Sequence, residues 1–180
     1  MKEIRIHGRG GQGSVVLAEL LGIAAFREGK YSLAFPFLGG GGERRGAPVQ
    51  GFARIDSKPI AIRERIQYPD YVIVQDTSIM EVVDCYAGIK ENGVLIVNTH
   101  DPNFICERED LKVYTIDATK IALEALGRPI MNTVLLGAFA KITGEVSMEA
   151  VEETIRGRFD GELAEGNIKA ARMAYDAVEA

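Results

Sequence analysis

The hydrophobic pattern of the chain alternates between the periods of strands and helices, which predicts an α/β protein. A short apolar strand containing Ile4 and Ile6 runs into a glycine-rich turn. Residues 14–28 then carry a broad apolar face that predicts a helix, and Gly29 provides its stop signal. The chain therefore begins with a strand, a turn and a helix in close succession.

The middle of the chain predicts a hairpin, a buried strand and a second helix. Turn-forming residues 56–58 separate two strand-like segments, 49–55 and 59–65, which we expect to pair as an antiparallel hairpin. The apolar segment 71–75 is typical of a central strand buried on both faces. We expect a helix from there to residue 87, beginning at one of three candidate N-cap residues, Asp76, Thr77 and Ser78.

The second half of the chain continues the alternation and then becomes helical. Segments 94–98 and 112–117 predict two more strands, parallel to the one at 71–75 and joined to it by crossovers. The predicted helices that follow cover residues 121–126, 130–142, 148–156 and 163–178. The sequence thus predicts a three-layer Rossmann-like fold with a mixed, mainly parallel sheet and a helical C-terminal segment. Because no linker or repeat interrupts it, we expect residues 1–180 to form one domain.

Composition and charge exclude several classes of protein. The 180 residues are 47% hydrophobic and carry a formal net charge of −5, which argues against a general nucleic-acid-binding protein. Charged residues interrupt the N-terminus and no apolar segment is long enough to span a bilayer, so we expect a cytoplasmic protein without membrane contact. The two cysteines, Cys85 and Cys106, are too few to hold an iron–sulfur cluster with four thiolates.

The glycine turn is the first candidate site. Its residues follow the spacing G-x-G-x-x-G, which is typical of a phosphate cradle at the start of a helix. A nicotinamide or flavin site of this kind has an acidic residue about 20 positions further on, which binds the ribose. Residues 31–37 at that distance contain no carboxylate, so binding of a different phosphate-bearing ligand and simple tight packing both remain open. The candidate cofactor-binding residues are Gly8, Arg9, Gly10, Gly11, Gln12 and Gly13.

The second candidate site is the segment 35–48, which contains four consecutive glycines. Its aromatic and arginine side chains are of the types enriched at protein interfaces, and a guanidinium pair also suits a phosphate or a carboxylate. An exposed loop whose arginines pair with Glu43 or Glu64 is the structural alternative. The candidate interface or anion-contact residues are Phe37, Glu43, Arg44 and Arg45.

No residue is a convincing catalytic group. The two histidines, His7 and His100, are far apart in the sequence and have no evident partner. We expect both to be structural, with His7 the better functional candidate because it follows a strand beside the glycines.

Several ordered motifs together are more specific than the glycine turn alone. They are His7 to Gly13, Phe35-Pro36, Glu43 to Pro48, Tyr68 to Val74, Asn132 to Phe139 and Gly161 to Asn167. These motifs resemble one family, the gamma subunits of 2-oxoacid:ferredoxin oxidoreductases, with the pyruvate enzymes (pyruvate synthases) nearest. The resemblance extends over essentially the whole chain, and one departure is the four-glycine run, where the family often has Gly-Pro.

The resemblance implies a subunit that holds no redox centre of its own. The family's reaction is the oxidative decarboxylation of a 2-oxoacid with coenzyme A to an acyl-CoA, and electrons pass from thiamine diphosphate through iron–sulfur clusters to ferredoxin. The chain has no Gly-Asp-Gly segment of the kind that holds magnesium and thiamine diphosphate in the relatives. We therefore expect those cofactors on alpha, beta and ferredoxin-like delta subunits. An autonomous flavin- or nicotinamide-nucleotide-binding protein is the alternative from another functional class.

Overall fold

The computed structural model describes residues 1–37 and 45–179 and contains a six-stranded sheet. The strands are β1 (Lys2–Arg9), β2 (Tyr31–Phe37), β3 (Pro48–Asp56), β4 (Tyr71–Val74), β5 (Val94–Asn98) and β6 (Lys112–Ile116). They lie in the order β2-β3-β1-β4-β5-β6. β1, β4, β5 and β6 are parallel, whereas β3 is antiparallel to both of its neighbours. The predicted mixed, mainly parallel sheet is therefore confirmed.

The predicted hairpin is wrong in one of its two strands. β3 covers the predicted segment 49–55, but it pairs with β2 upstream, and residues 59–65 form no strand. The choice of partner follows from aromatic packing, because the Phe35 ring lies 5.2 Å from the ring of its cross-strand neighbour Phe52. Segment 59–65 is mostly exposed and offers no comparable apolar face.

Five helices pack on one face of the sheet. They are α1 (Ser14–Arg27), α2 (Ala118–Leu126), α3 (Asn132–Thr143), α4 (Met148–Arg158) and α5 (Gly161–Ala177). Their apolar faces cover strand residues such as Ile4, Ile73 and Ile96 in one continuous core. α3 and α5 approach closely at Gly137, where an added Cβ would meet the backbone of Ala171. Five of the six predicted helices are present, with ends shifted by at most a few residues.

The opposite face of the sheet is covered mainly by irregular chain. Val72, Val74 and Leu95 pack there against Ile79 and Cys85 in a second core. The helix predicted over 76–87 is only a 3₁₀ helix, Thr77–Glu81, although Asp76 caps it as expected. Val82 and Val83 are poor helix formers, and Asp84 accepts a hydrogen bond from the Tyr86 N–H in a local turn instead. Within the described part of the chain, no helix combines the length and apolar character that a bilayer span requires.

Candidate functional site

A cleft of about 890 Å³ opens at the carboxyl ends of the parallel strands. After β1 the chain crosses through α1 to β2 and β3 on one side, whereas β4 leads to β5 and β6 on the other side. The cleft lies at this switch in strand order, the usual ligand position in open α/β sheets. Its walls come from the glycine turn, the residues that follow β4 and β5, and the starts of α2 and α3.

The six residues of the glycine turn divide into different structural roles. Gly11 and Gly13 have φ angles of 92° and 76°, in the left-handed region that favours glycine. Gly8 serves close packing, because an added Cβ would lie 2.5 Å from Gln75 Oε1 and would also meet Ser14 Oγ. Gly10, Gly11, Gln12 and Gly13 line the cleft.

The polar side chains of the turn are engaged with the protein itself. The Gln12 amide donates to Asp76 Oδ2 at 2.9 Å and accepts from the Arg9 N–H at 2.7 Å. The Arg9 guanidinium donates to Ser78 Oγ at 3.0 Å and to the Gly46 carbonyl oxygen at 3.0 Å. Arg9 and Gln12 therefore hold the turn in place with side chains that are engaged within the protein.

The second candidate segment returns to the glycine turn. The Gly10 N–H donates to the Ala47 oxygen at 2.8 Å, and the Gly46 N–H donates to the Gly10 oxygen at 3.0 Å. These bonds place the exposed Arg45 in the cleft wall. Phe37 lies away from the cleft, where the Arg65 guanidinium covers its ring at 3.8 Å. The predicted contacts of Glu43 and Arg44 lie outside the described residues.

Three helices begin at the cleft, and only one of them has side-chain caps. At α2, Asp117 accepts from the Lys120 N–H at 2.9 Å, and Asn98 Oδ1 accepts from the Ala118 N–H at 2.9 Å. The N-cap residue is Gly13 for α1 and Met131 for α3, and neither residue supplies a side-chain hydrogen bond to the helix. The first N–H groups of a helix have no intrahelical partner, so α1 and α3 present backbone donors at the cleft.

The first residue of α3 also carries an unpaired acceptor. Asn132 Oδ1 is buried and, among the described residues, has no hydrogen-bond partner. The amide lies against Gly13, where an added Cβ would be 2.9 Å from Oδ1. A buried polar atom without a partner is costly, so a hydrogen-bond donor from a ligand or water would stabilise this position.

The charged side chains of the cleft differ in how they are used. Burial raises the pKa of Asp76, but hydrogen bonds from Ser78 and Gln12 outweigh it and the net pKa lies below the ordinary value. Asp117 is occupied as the cap of α2. Lys120 is exposed at the cleft wall, and the described part of the chain provides it with no ion pair.

The sequence favoured His7 over His100 as the functional histidine, and the positions of the two residues reverse that preference. His7 is buried outside the cleft and accepts a hydrogen bond from Arg5 Nε at 2.9 Å. Burial, and then the Arg5 charge, lower its pKa to about 3, so it stays neutral near pH 7. His100 is exposed and lines the cleft. His7 is thus a structural residue, and position favours His100 for contact with a ligand.

Sequence reasoning missed Asn98, Lys120 and Asn132 as cleft residues. Asn98 ends a buried parallel strand, and this position alone could have indicated it. The other two lie in the first turns of helices far along the chain, with no signal in their spacing. No group of three His, Cys, Asp or Glu side chains within residues 1–37 and 45–179 is arranged to hold a metal ion.

Comparison with known proteins identifies the family. The model of the pyruvate ferredoxin/flavodoxin oxidoreductase family matches residues 3–177. The chain belongs to this family. It is 53% identical to pyruvate synthase subunit PorC of Methanothermobacter thermautotrophicus, over 99% of this chain and 97% of that one. It is 55% identical to the gamma subunit common to the pyruvate and ketoisovalerate oxidoreductases of Pyrococcus abyssi, over 98% of this chain and 96% of that one.

Solved structures agree with the fold. The crystal structure of pyruvate oxidoreductase subunit PORC from Thermotoga maritima superposes with a TM-score of 0.86 at 37% identity, covering 99% of this chain and 97% of that one. The expected gamma subunit of a multisubunit 2-oxoacid:ferredoxin oxidoreductase is confirmed. The alternative of an autonomous flavin- or nicotinamide-binding protein is not supported.

Proposed function

We propose that this gamma subunit binds the phosphate groups of coenzyme A in the cleft, and so contributes to acyl-CoA formation from pyruvate by the assembled enzyme. The observation that carries the proposal is that α1 and α3 both begin at the cleft without side-chain caps. Free N–H groups and the positive end of the helix dipole favour an anion at such a position.

The residues around these helix starts fit a phosphate-bearing ligand. Gly10 and Gly11 present no side chain that would keep a phosphate from the backbone, whereas the space beside Gly13 holds the Asn132 amide. Lys120, Arg45 and His100 line the same cleft and supply donors to an anion. The two carboxylates nearby already accept hydrogen bonds from the protein, which reduces their repulsion of a bound phosphate.

The relatives support coenzyme A over the oxoacid as the ligand of this chain. The Pyrococcus abyssi protein is a subunit common to pyruvate and ketoisovalerate oxidoreductases. A subunit shared by two oxoacid oxidoreductases is suited to bind the substrate that both reactions share. In this proposal, the choice of oxoacid therefore belongs to other chains.

The remaining components follow from the family's reaction. We assign thiamine diphosphate, magnesium and the iron–sulfur clusters to alpha, beta and ferredoxin-like delta subunits, with ferredoxin as the acceptor of the complex. Residues 1–180 act in this proposal as one gamma-subunit domain in the cytoplasm, without contact to nucleic acid or membrane.

The direct test removes one cation from the cleft. Lys120→Met should raise the KM for coenzyme A in the assembled enzyme about tenfold, because a lysine–phosphate contact contributes roughly 1–2 kcal/mol. Lys112→Met is the matched control. Lys112 is also exposed, but it lies at the amino end of β6, whereas the cleft lies at the carboxyl ends of the strands. An unchanged KM in the Lys120 variant would contradict the proposed site.

A second test separates ligand binding from packing at the turn. Gly10 bonds to residues 46 and 47 through its backbone alone, so Gly10→Val can retain both bonds. The valine side chain should weaken saturation by coenzyme A while subunit assembly stays intact. Normal saturation in a properly assembled variant would favour the packing role for this glycine.

The isolated chain should be catalytically silent. The pure protein, supplied with pyruvate, coenzyme A, thiamine diphosphate and an electron acceptor, should form no acyl-CoA. Turnover without added subunits would contradict the proposed division of labour.

A further inference from the structure

A second depression, of about 680 Å³, lies on the face of the sheet that is covered by irregular chain. Residues 77–86 form one side of it, and residues 104–107 form the other. Thr77 lines both this depression and the cleft, so the two are neighbours on the surface. The proposed function does not use the depression.

The depression displays apolar side chains to solvent. Ile105 is 83% exposed and Val82 is 66% exposed, and both line it. They are two of the three most exposed large apolar side chains of the described residues, and the third, Phe26, lies on α1. Single exposed apolar residues are ordinary, but two of them in one depression that half-buried Phe104 and Met80 also line are typical of an interaction surface.

The charges around the depression have one sign. Glu81, Asp84 and Glu107 are exposed at its wall, and none of its eleven lining residues is a lysine or an arginine. Arg108 follows directly in the sequence, but its Nε donates to Asp110 Oδ1 at 2.9 Å. A complementary surface therefore combines an apolar protrusion with flanking lysine or arginine side chains.

We propose that this depression is a docking surface for another subunit of the oxidoreductase, which inserts an apolar side chain flanked by basic residues. The adjacent cleft then lies at the edge of the subunit interface, because Thr77 lines both. A second copy of this chain is a poor occupant, because two such surfaces face to face would bring six carboxylates together.

The test measures how tightly this chain binds the other subunits of the same enzyme, which are produced together from their genes. The double variant V82S/I105S should bind the remaining subunits at least tenfold more weakly. Leu163→Ser is the matched control, since Leu163 is 56% exposed on α5 away from the depression. Thermal unfolding of the isolated double variant should match that of the native chain, because both residues are exposed.

A charge variant tests the basic partner independently. Glu81→Gln, Asp84→Asn and Glu107→Gln together should slow association several-fold at low salt and flatten its salt dependence. The proposal would be overturned if both variants associated as tightly as the native chain. It would also be overturned if the isolated native chain formed a dimer that the double serine variant did not form. If the serine variant unfolds early, the charge variant decides alone.

The outcome is distinguishable from failure of the coenzyme A site. Lys120→Met should leave subunit association unchanged, whereas V82S/I105S should leave the KM for coenzyme A unchanged once assembly is driven by excess subunits. Each proposal can therefore fail without the other.

Discussion

At the cleft, α2 and α1 begin only a short distance apart but treat their backbone donors differently. The start of α2 is closed by Asp117 and Asn98, which accept hydrogen bonds from its first N–H groups. The start of α1 has a glycine where a cap would be, and the polar side chains of its turn bond elsewhere. α3 resembles α1, and the buried side-chain oxygen of its first residue has no hydrogen-bond partner among residues 1–37 and 45–179.

The difference separates stability from ligand binding. A capped helix start gains stability from its own side chains, whereas an uncapped start keeps donors and a positive dipole end for an anion. Substitutions at the capped start should therefore affect folding, and those at the uncapped starts should affect binding.

The largest contrast is expected between two asparagines of the cleft. Asn98 is buried, donates to the Gln75 oxygen at 2.9 Å and caps α2, so Asn98→Ala should lower the free energy of unfolding by about 2–4 kcal/mol. Asn132→Ala should lower it by less than about 1 kcal/mol, because within the described part of the chain Oδ1 has no partner to lose. Urea unfolding of the isolated chain measures both.

The same pair should reverse its order in the ligand assay. Asn132→Ala should raise the KM for coenzyme A of the assembled enzyme several-fold if Asn132 contacts the ligand. If both variants lost the same stability, the proposed difference between capped and uncapped helix starts would be wrong.

A smaller effect is expected from Gly13→Ala. The residue has a φ of 76°, which costs an alanine about 1–2 kcal/mol, and the new Cβ would meet the Asn132 amide. Gly144→Ala is the control, since Gly144 has a φ of 64° and open space around it. Gly13→Ala should lose more stability than Gly144→Ala because its Cβ also meets the Asn132 amide, and only Gly13→Ala should also weaken coenzyme A saturation. A similar KM in the two variants would mean that the glycine serves the backbone alone.

Removal of the α2 cap should have a still smaller effect. Asp117→Ala should lower the free energy of unfolding by about 1 kcal/mol, the usual loss for an N-cap. Asp160→Ala is a matched comparison, because Asp160 precedes α5 without a side-chain hydrogen bond and its loss should cost less than about 0.5 kcal/mol. If chemical denaturation gives the same loss for both, the hydrogen bond at α2 contributes nothing measurable.

Most local elements were predictable from the sequence, whereas their long-range pairing was not. The turn at Gly8 to Gly13 and the extent of α1 depend on neighbouring residues, and both agree with the pattern. The partner of β3 depends on the contact of Phe35 with Phe52, which no local turn signal contains. The turn signal at 56–58 therefore indicated the wrong hairpin.

The place of the glycine turn between β1 and α1 was predictable from the sequence, but the roles of its side chains were not. Arg9 and Gln12 bond to residues 69 and 64 positions away and hold the turn. The cleft gathers Asn98, Lys120 and Asn132 from separate segments, and only the fold brings them together. Single-sequence reasoning identifies such residues only when they end a strand.

The hydrogen bonds of Asp76 below the glycine turn depend on the charge of its carboxylate. Asp76 accepts from the Ser78 N–H at 2.9 Å, from the Ser78 hydroxyl at 2.6 Å and from the Gln12 amide at 2.9 Å. Burial opposes its charge, but these bonds favour it more, and the pKa of the folded state lies below the ordinary value. The carboxylate therefore helps to hold the open helix start in place.

The smallest expected effect is a pH dependence of this contribution. Because the folded-state pKa of Asp76 is depressed, the unfolded chain binds more protons as the solution becomes acidic. The stabilising contribution is complete above about pH 5 and is lost as the pH falls through the folded-state pKa. Asp76→Asn should thus be less stable than the native chain at pH 7, and the gap should narrow by pH 3. Urea unfolding at both pH values measures it, with the exposed Glu162→Gln as control. A gap that stays constant with pH would show that Asp76 acts through its shape and not its charge.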